Sequence, residues 1–222
     1  MKKHIRISSA VLLCVVIGLI VSSCKKGDGD PFFSIYSRKA RLSNNWKVSN
    51  FTSTYSYTNK KIEITFDGSA KKVVNSVLDT TINFPNPTPH DSVVTYSTEA
   101  NYTGEITNEI TNKGTYNYRE SFTDNYSGII ETKEITGLWY FMGGNQQNEF
   151  KDKELLAMQV TNYVYNPNIG YSYTTIHQGE QTLDVYEIYA LKNNKVVLKV
   201  NQTETINFIK YTTVMEYTYV PK

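Results

Sequence analysis

Cysteine is almost missing from this chain. It occurs twice in 222 residues, at Cys14 and Cys24, so no network of disulfides can hold the fold together. Histidine is nearly as scarce, with three copies. Past the N-terminal segment only His90 and His177 remain, and neither sits in a His, Cys, Asp or Glu cluster at ligand spacing. A zinc-type site needs such a cluster, so no metal is expected. No phosphate loop, dinucleotide fingerprint or nucleophile elbow occurs, which leaves no recognisable catalytic apparatus and no implied cofactor. The chain also lacks an excess of one charge: 23 basic residues face 21 acidic ones. Nucleic acid requires a basic face, so it is not an expected partner.

One long apolar run exists, at residues 10–21. Crossing a hydrocarbon core takes about 20 apolar residues, so this run is short for a permanent span. It follows Lys2, Lys3 and Arg6 and precedes Ser22, Ser23 and Cys24. A basic start, an apolar stretch of this length and small residues before a cleavage point are the parts of a secretory signal. With cysteine at its end, the segment resembles the signal peptide and lipobox of bacterial lipoproteins. That resemblance implies removal of residues 1–23, acylation of Cys24 and a lipid anchor in the cell envelope, at the outer membrane. Two or three acyl chains hold a domain on a bilayer at roughly 0.8 kcal/mol per buried CH₂. Residues 24–31, containing KKGDGD, read as a polar flexible tether. Residues 32–222 are long enough for one domain. Three basic residues lie before Cys24, so 20 remain against 21 acidic ones.

The domain is rich in tyrosine, with 18 copies, while alanine and leucine are sparse. Aromatic and β-branched residues favour sheet. A one- to two-turn helix with Ser34 as its cap fits residues 32–42. Strand patterns then run through 46–57, 62–66, 93–110, 115–122, 128–135, 138–142, 155–165, 183–191, 196–200 and 206–219. Turn signals separate them at Asn59-Lys60, Asp67-Gly68, Asn112-Lys113-Gly114 and Asn193-Asn194. Gly143-Gly144-Asn145 reads as a tip, and Asn166-Pro167-Asn168 as a break. Residues 79–92 carry Pro85, Pro87 and Pro89 and read as a long loop. Short connections suit antiparallel neighbours, whereas parallel ones need a dozen or more residues. Such a pattern fits an antiparallel barrel or a sandwich; the expected fold is all-β, an antiparallel up-and-down barrel of eight to ten strands with a short N-terminal helix, since closure removes exposed edges.

Several segments share a pattern in order and spacing: Cys24-Lys25-Lys26-Gly27-Asp28, Asp30-Pro31-Phe32, Ser37 to Leu42, Trp46-Lys47-Val48, Gly137 to Phe141, Asp152 to Leu156, and Tyr186 to Lys192. Together they resemble lipocalin-like lipoproteins of Bacteroidota. In lipocalins a Gly-x-Trp motif opens the first strand and its tryptophan plugs the barrel base; Asn44-Asn45-Trp46 stands there here, with Asn44 in place of glycine. The late arginine that lipocalins stack on that tryptophan has no counterpart in the last strand. The resemblance implies an interior cavity for a small apolar or amphipathic ligand, or a structural role in the envelope. Inward candidates are Tyr116, Tyr118, Trp139, Phe141, Tyr186, Ile188 and Tyr189.

A different reading is a carbohydrate-binding or adhesive surface module, with rings at 139–147 and 163–173 stacking on sugars. Glu105, Glu109, Glu131 and Glu187 fall on strands, where solvated outward positions are expected. Asp79-Thr80-Thr81 and Asp91-Ser92-Val93 resemble the Bacteroidota acceptor motif for protein O-glycosylation, which makes Thr80 and Ser92 candidate sites. Asp28 and Asp30 are similar to tethers that direct such lipoproteins to the cell surface.

Overall fold

The computed structural model describes residues 37–79, 94–143, 155–176 and 183–222. Among the described residues a short helix, α1 (Arg38–Leu42), precedes eleven strands. These are β1 (Asn44–Tyr57), β2 (Lys60–Phe66), β3 (Ala70–Asp79), β4 (Val94–Ile110), β5 (Thr115–Asp124) and β6 (Ile130–Met142). The series continues with β7 (Leu155–Pro167), β8 (Tyr173–Ile176), β9 (Leu183–Lys192), β10 (Lys195–Ile206) and β11 (Ile209–Pro221). Every pairing is antiparallel, and β6 meets β7 to close a ten-stranded barrel, with β8 appended to β7.

The barrel is wider at one end than at the other. At the base, Asn44–Lys47 of β1 pair directly with Ile110–Thr107 of β4. Beyond them β1 turns to pair with β2, and the β2–β3 hairpin fills the gap to β4. Eight strands therefore surround the base and ten surround the opposite, upper end. Eight strands enclose a space that side chains just fill, and extra strands widen it.

The first strand shows how sequence forces geometry. Its apolar residues fall at even positions, Trp46 and Val48, then at odd ones, Phe51, Tyr55 and Tyr57. A strand keeps one face only with period two, so this phase change demands an extra residue. The β1–β11 register shifts between Val48 and Asn50, and Phe51 and Ser53 then join Trp46 and Val48 as buried side chains.

The base is plugged by α1. Ser37 accepts a hydrogen bond from the Ala40 amide and caps the helix, so the cap lies three residues later than Ser34. Leu42 is wholly buried, and its carbonyl accepts the Trp46 Nε1 proton at 2.7 Å. Arg41 is buried too and donates from Nη1 to the Leu191 carbonyl at 2.7 Å. Arginine thus reaches the barrel floor from the helix before β1 instead of from the last strand.

Three strand readings change. β3 and β8 were not legible, and residues 128–135 and 138–142 fall in one strand, β6, whose register with β7 shifts between Thr136 and Gly137 because β7 carries the extra residue Thr161. The stretch 196–200 extends to Ile206, which ends β10 instead of opening β11. Residues 80–93, including most of the expected proline loop, lie outside the described residues, as does most of the tip at 143–145.

The β10–β11 turn has positive φ at both central residues, 50° at Asn207 and 66° at Phe208. This is the mirror-image turn that matches strand twist, but a bulky side chain is costly in that conformation. Phe208 is also fully exposed, so its ring gains nothing from burial. Phe208→Gly is expected to raise stability by about 0.5–1 kcal/mol in urea unfolding. A loss of stability would mean that the ring has a contact in solution.

Candidate ligand cavity

Above the plug, six strands converge on an interior cavity of about 200 Å³. Its walls come from Tyr116 and Tyr118 on β5, Lys133 and Ile135 on β6, and Met158 and Val160 on β7. Asp184 and Tyr186 on β9 and Met215, Tyr217 and Tyr219 on β11 complete the ring, with Asn108 of β4 entering from the side. The register explains the set: Tyr118 lies opposite Ile135, Tyr116 opposite Gly137, and Met158 opposite Asp184. Cross-strand partners share a face, so one inward phase propagates around the barrel.

Two glycines make room for rings. A Cβ on Gly137 would collide with the Gln159 carbonyl oxygen and the edge of Tyr116. Gly104 is crowded in the same way by the Ser121 carbonyl oxygen and Phe122. Tyr116 thus lies across a bare patch of β6. The rings also order one another: Tyr217 stacks on Phe51 at 4.2 Å and on Tyr219 at 5.9 Å, and Tyr186 meets it edge-on at 6.2 Å.

The polar groups of the site are unequal. Asn108 is only 1% exposed. The Tyr219 hydroxyl faces it, but neither its Oδ1 nor its Nδ2 completes a well-formed hydrogen bond. It stands between Ile106 and Ile110, both buried, at a core position. A buried amide so short of partners costs about 1–3 kcal/mol, so its presence needs a reason. Tyr118 donates to Glu120 Oε1 at 2.6 Å, and the Lys133 ammonium lies 3.3 Å from the same oxygen. Higher in the barrel, Tyr165 donates to Glu131 Oε1 at 2.7 Å. Glu131 is therefore inward and half-buried, which corrects its expected solvated position; Glu105, Glu109 and Glu187 are exposed.

Burial dominates the titration of these groups. It pushes the phenols of Tyr118, Tyr186 and Tyr217 far above their ordinary range, and Tyr116 and Tyr219 also rise. Tyr165 is pushed up to about 12, first by its bond to Glu131 and then by burial. The Asp184 carboxyl is raised by desolvation, against the pull of the Lys133 charge. Because the folded pKa values of the phenols exceed the unfolded value near 10, the folded state keeps their protons longer. Stability is then intact below about pH 10 and falls as pH rises towards the folded values. Base titration should show tyrosinate absorbance appearing in step with loss of the far-ultraviolet sheet signal. Smooth titration of all phenols near pH 10 with the sheet intact would contradict this burial.

The expected site residues separate into two groups. Tyr116, Tyr118 and Tyr186 line the cavity. Trp139, Phe141 and Ile188 point inward but on the base side of it: Trp139 donates from Nε1 to the Thr111 carbonyl at 2.9 Å and packs edge-on against Phe141, and Ile188 is core. Trp46 is buried at the base, as expected. Tyr189 is not inward. It is the extra residue of a bulge between β9 and β10, is 44% exposed, and carries Lys199 over its ring at 3.8 Å. Cys24, Thr80, Ser92, His90 and His177 lie outside the described residues. Among the described residues no three His, Cys, Asp or Glu side chains come together to hold a metal.

Sequence reasoning missed Asn108, Lys133, Asp184, Met215, Tyr217 and Tyr219. Met215, Tyr217 and Tyr219 alternate cleanly and could have been found by period alone. Asn108 was visible as the polar member of the series Ile106, Asn108, Ile110. Lys133 and Asp184 read as surface charges, and only the register turns them towards the cavity.

Fold and site define a closed antiparallel barrel with an internal, phenol-lined cavity above a plugged base. Comparison with protein-family models, with curated proteins and with solved structures gave no match.

Proposed function

We propose that this protein is a lipid-anchored component of the bacterial envelope, lipocalin-like in plan, whose barrel holds a small amphipathic ligand. The observation that carries the reading is the under-bonded Asn108 amide, buried against a cavity ringed by five tyrosines. Such a group is explained when something bound supplies its hydrogen bonds. Tyrosine rings offer apolar faces and Asn108, Lys133 and Asp184 offer polar contacts, so the ligand has both characters. At about 200 Å³ the space is smaller than the roughly 300–1,000 Å³ of drug-sized sites, so the ligand is small.

The test is calorimetric titration with p-cresol, a neutral probe with a ring and one hydroxyl. Saturable binding is expected, and Val160→Phe, which fills the cavity, should remove it. Binding that survives Val160→Phe would place the probe elsewhere and defeat the reading. The anchor is tested separately: a fatty-acid analogue fed to the source cells should label the protein, and Cys24→Ser should abolish labelling.

A second reading, carbohydrate binding, draws on the β7–β8 turn. Tyr171 is 95% exposed and Tyr173 stacks on Tyr163 at 5.8 Å while remaining half outside. Trp139, expected among the sugar-stacking rings, is buried and cannot serve.

A further inference from the structure

The cavity wall contains one carboxylate with no ion-pair partner among the described residues. Asp184 enters from β9 opposite Met158 and forms part of the wall. Asp184 is exposed and stands at the cavity's open side, and the wall beside it still desolvates its carboxyl enough to raise it. Among the described residues, ion pairs join Lys61 to Glu63, Lys72 to Glu99, Lys133 to Glu120 and Lys199 to Glu216. Asp184 is in none of them. The other charge in the wall, Lys133, pulls on Asp184 from beyond ion-pair distance but is already paired with Glu120 at 3.3 Å. One ammonium, Lys133, thus stands against two carboxylates, Glu120 and Asp184, and a carboxylate beside a desolvating wall gains from a cation that shares the cavity.

The barrel also shows what its rings are suited to hold. Lys71 places its ammonium 3.8 Å from the centroid of Phe122 and 4.5 Å from that of Tyr102. Lys199 does the same over Tyr189. Lys133 sits 5.7 Å from the ring of Tyr118, inside the cavity wall itself. Ammonium groups seat on electron-rich ring faces, more strongly when water is excluded. Tyr116, Tyr186 and Tyr217 line the same space as Asp184 and, among the described residues, carry no such cation.

We propose that the cavity takes a small organic cation, a primary or quaternary ammonium compound, with Asp184 as counter-charge, the faces of Tyr116, Tyr186 and Tyr217 as its seat, and Asn108 as hydrogen-bonding partner for its polar end. This rests on the cavity being a binding site, and it adds the charge of the ligand. An anionic ligand would meet the Asp184 carboxylate. A neutral one would bring no charge to pair with it.

The experiment is a paired titration of the full barrel domain with choline and with 3,3-dimethyl-1-butanol, which has the same shape but a carbon in place of the charged nitrogen. Choline is expected to bind at least tenfold more tightly than the alcohol. Asp184→Asn should erase that difference while leaving thermal stability equal or higher, because it removes a carboxylate without an ion-pair partner from beside a desolvating wall. Tyr186→Leu keeps apolar bulk but loses the ring, and it should weaken choline selectively. Equal binding of the two probes, or tighter binding of the alcohol, would overturn the cation assignment and leave the cavity reading standing. Failure of both probes while p-cresol binds would overturn it in the same way. If p-cresol also fails, the cavity reading falls with it.

Discussion

Trp46→Ala is expected to cost about 3–5 kcal/mol, at the upper end for loss of a single side chain. Trp46 is 1% exposed and stands where the barrel has only eight strands. Its indole touches the underside of the plug, and its Nε1 proton is held by the Leu42 carbonyl at 2.7 Å. Removing it leaves a void that the short helix α1 has too few contacts to fill, and orphans a carbonyl at the helix end. For a domain of this size each kcal/mol moves the melting temperature by about 2–4 °C, so a fall of roughly 6–20 °C should appear in thermal unfolding. Trp46→Phe keeps most of the volume but not the N–H, and should cost less than half as much. A change below about 1 kcal/mol for Trp46→Ala would show that the base is not a packed plug.

Gly137→Ala should be nearly as damaging, although it adds only a methyl group. Overpacking typically costs about 1–3 kcal/mol, and here the obstacle is backbone, which yields least. The new Cβ would run into the Gln159 carbonyl oxygen across the β6–β7 seam and into the Tyr116 ring. That seam closes the barrel, and its register shift, with Thr161 of β7 as the extra residue, falls beside Gly137. The expected result is a fall in melting temperature of at least roughly 5 °C together with loss of p-cresol binding, since Tyr116 must leave its place. Retained binding with an unchanged melting temperature would mean that the strand relaxes freely at this point.

The two changes probe different levels of legibility. Trp46 announces itself by composition and position: a lone large ring at the start of an alternating strand is core in almost any β-fold. Gly137 stands out only as part of a motif, because the need for a missing side chain arises from a strand far along the chain. β3 escapes pattern reading for a related reason. After Ala70 it sets Lys71 beside Lys72 and Val73 beside Val74, so it has no clean alternation. The strand exists because β2 and β4 flank it, and Lys71 can face inward because Phe122 and Tyr102 receive its ammonium. β8 is four residues long and depends on β7 in the same way.

Tyr189 shows the limit of counting by twos. Its neighbour Ile188 is buried, and one bulge between β9 and β10 reverses the phase after it. Local pattern cannot reveal a bulge whose cause lies in the partner strand. Glu131 and Lys133 are hidden for the opposite reason. Period alone places them on the inward face with Ile135, but charge argues for water. The interior supplies the partners that sequence cannot display, in Tyr165 and Glu120.

By itself the sequence determined the class of structure, because tyrosine- and threonine-rich alternating runs with short turns have no stable alternative to an antiparallel sheet. It also determined that a short helix ends at Leu42 and that the base tryptophan follows it, though the cap is Ser37 and not the expected Ser34. Tertiary structure alone decided which strands close the ring, that the barrel widens from eight strands to ten, and that Asn108, Lys133 and Asp184 share a cavity with five phenols. The reason is that register is a relation between distant segments: hydrogen-bonded pairing fixes it, and a shift of one residue would turn every one of those side chains to the other face.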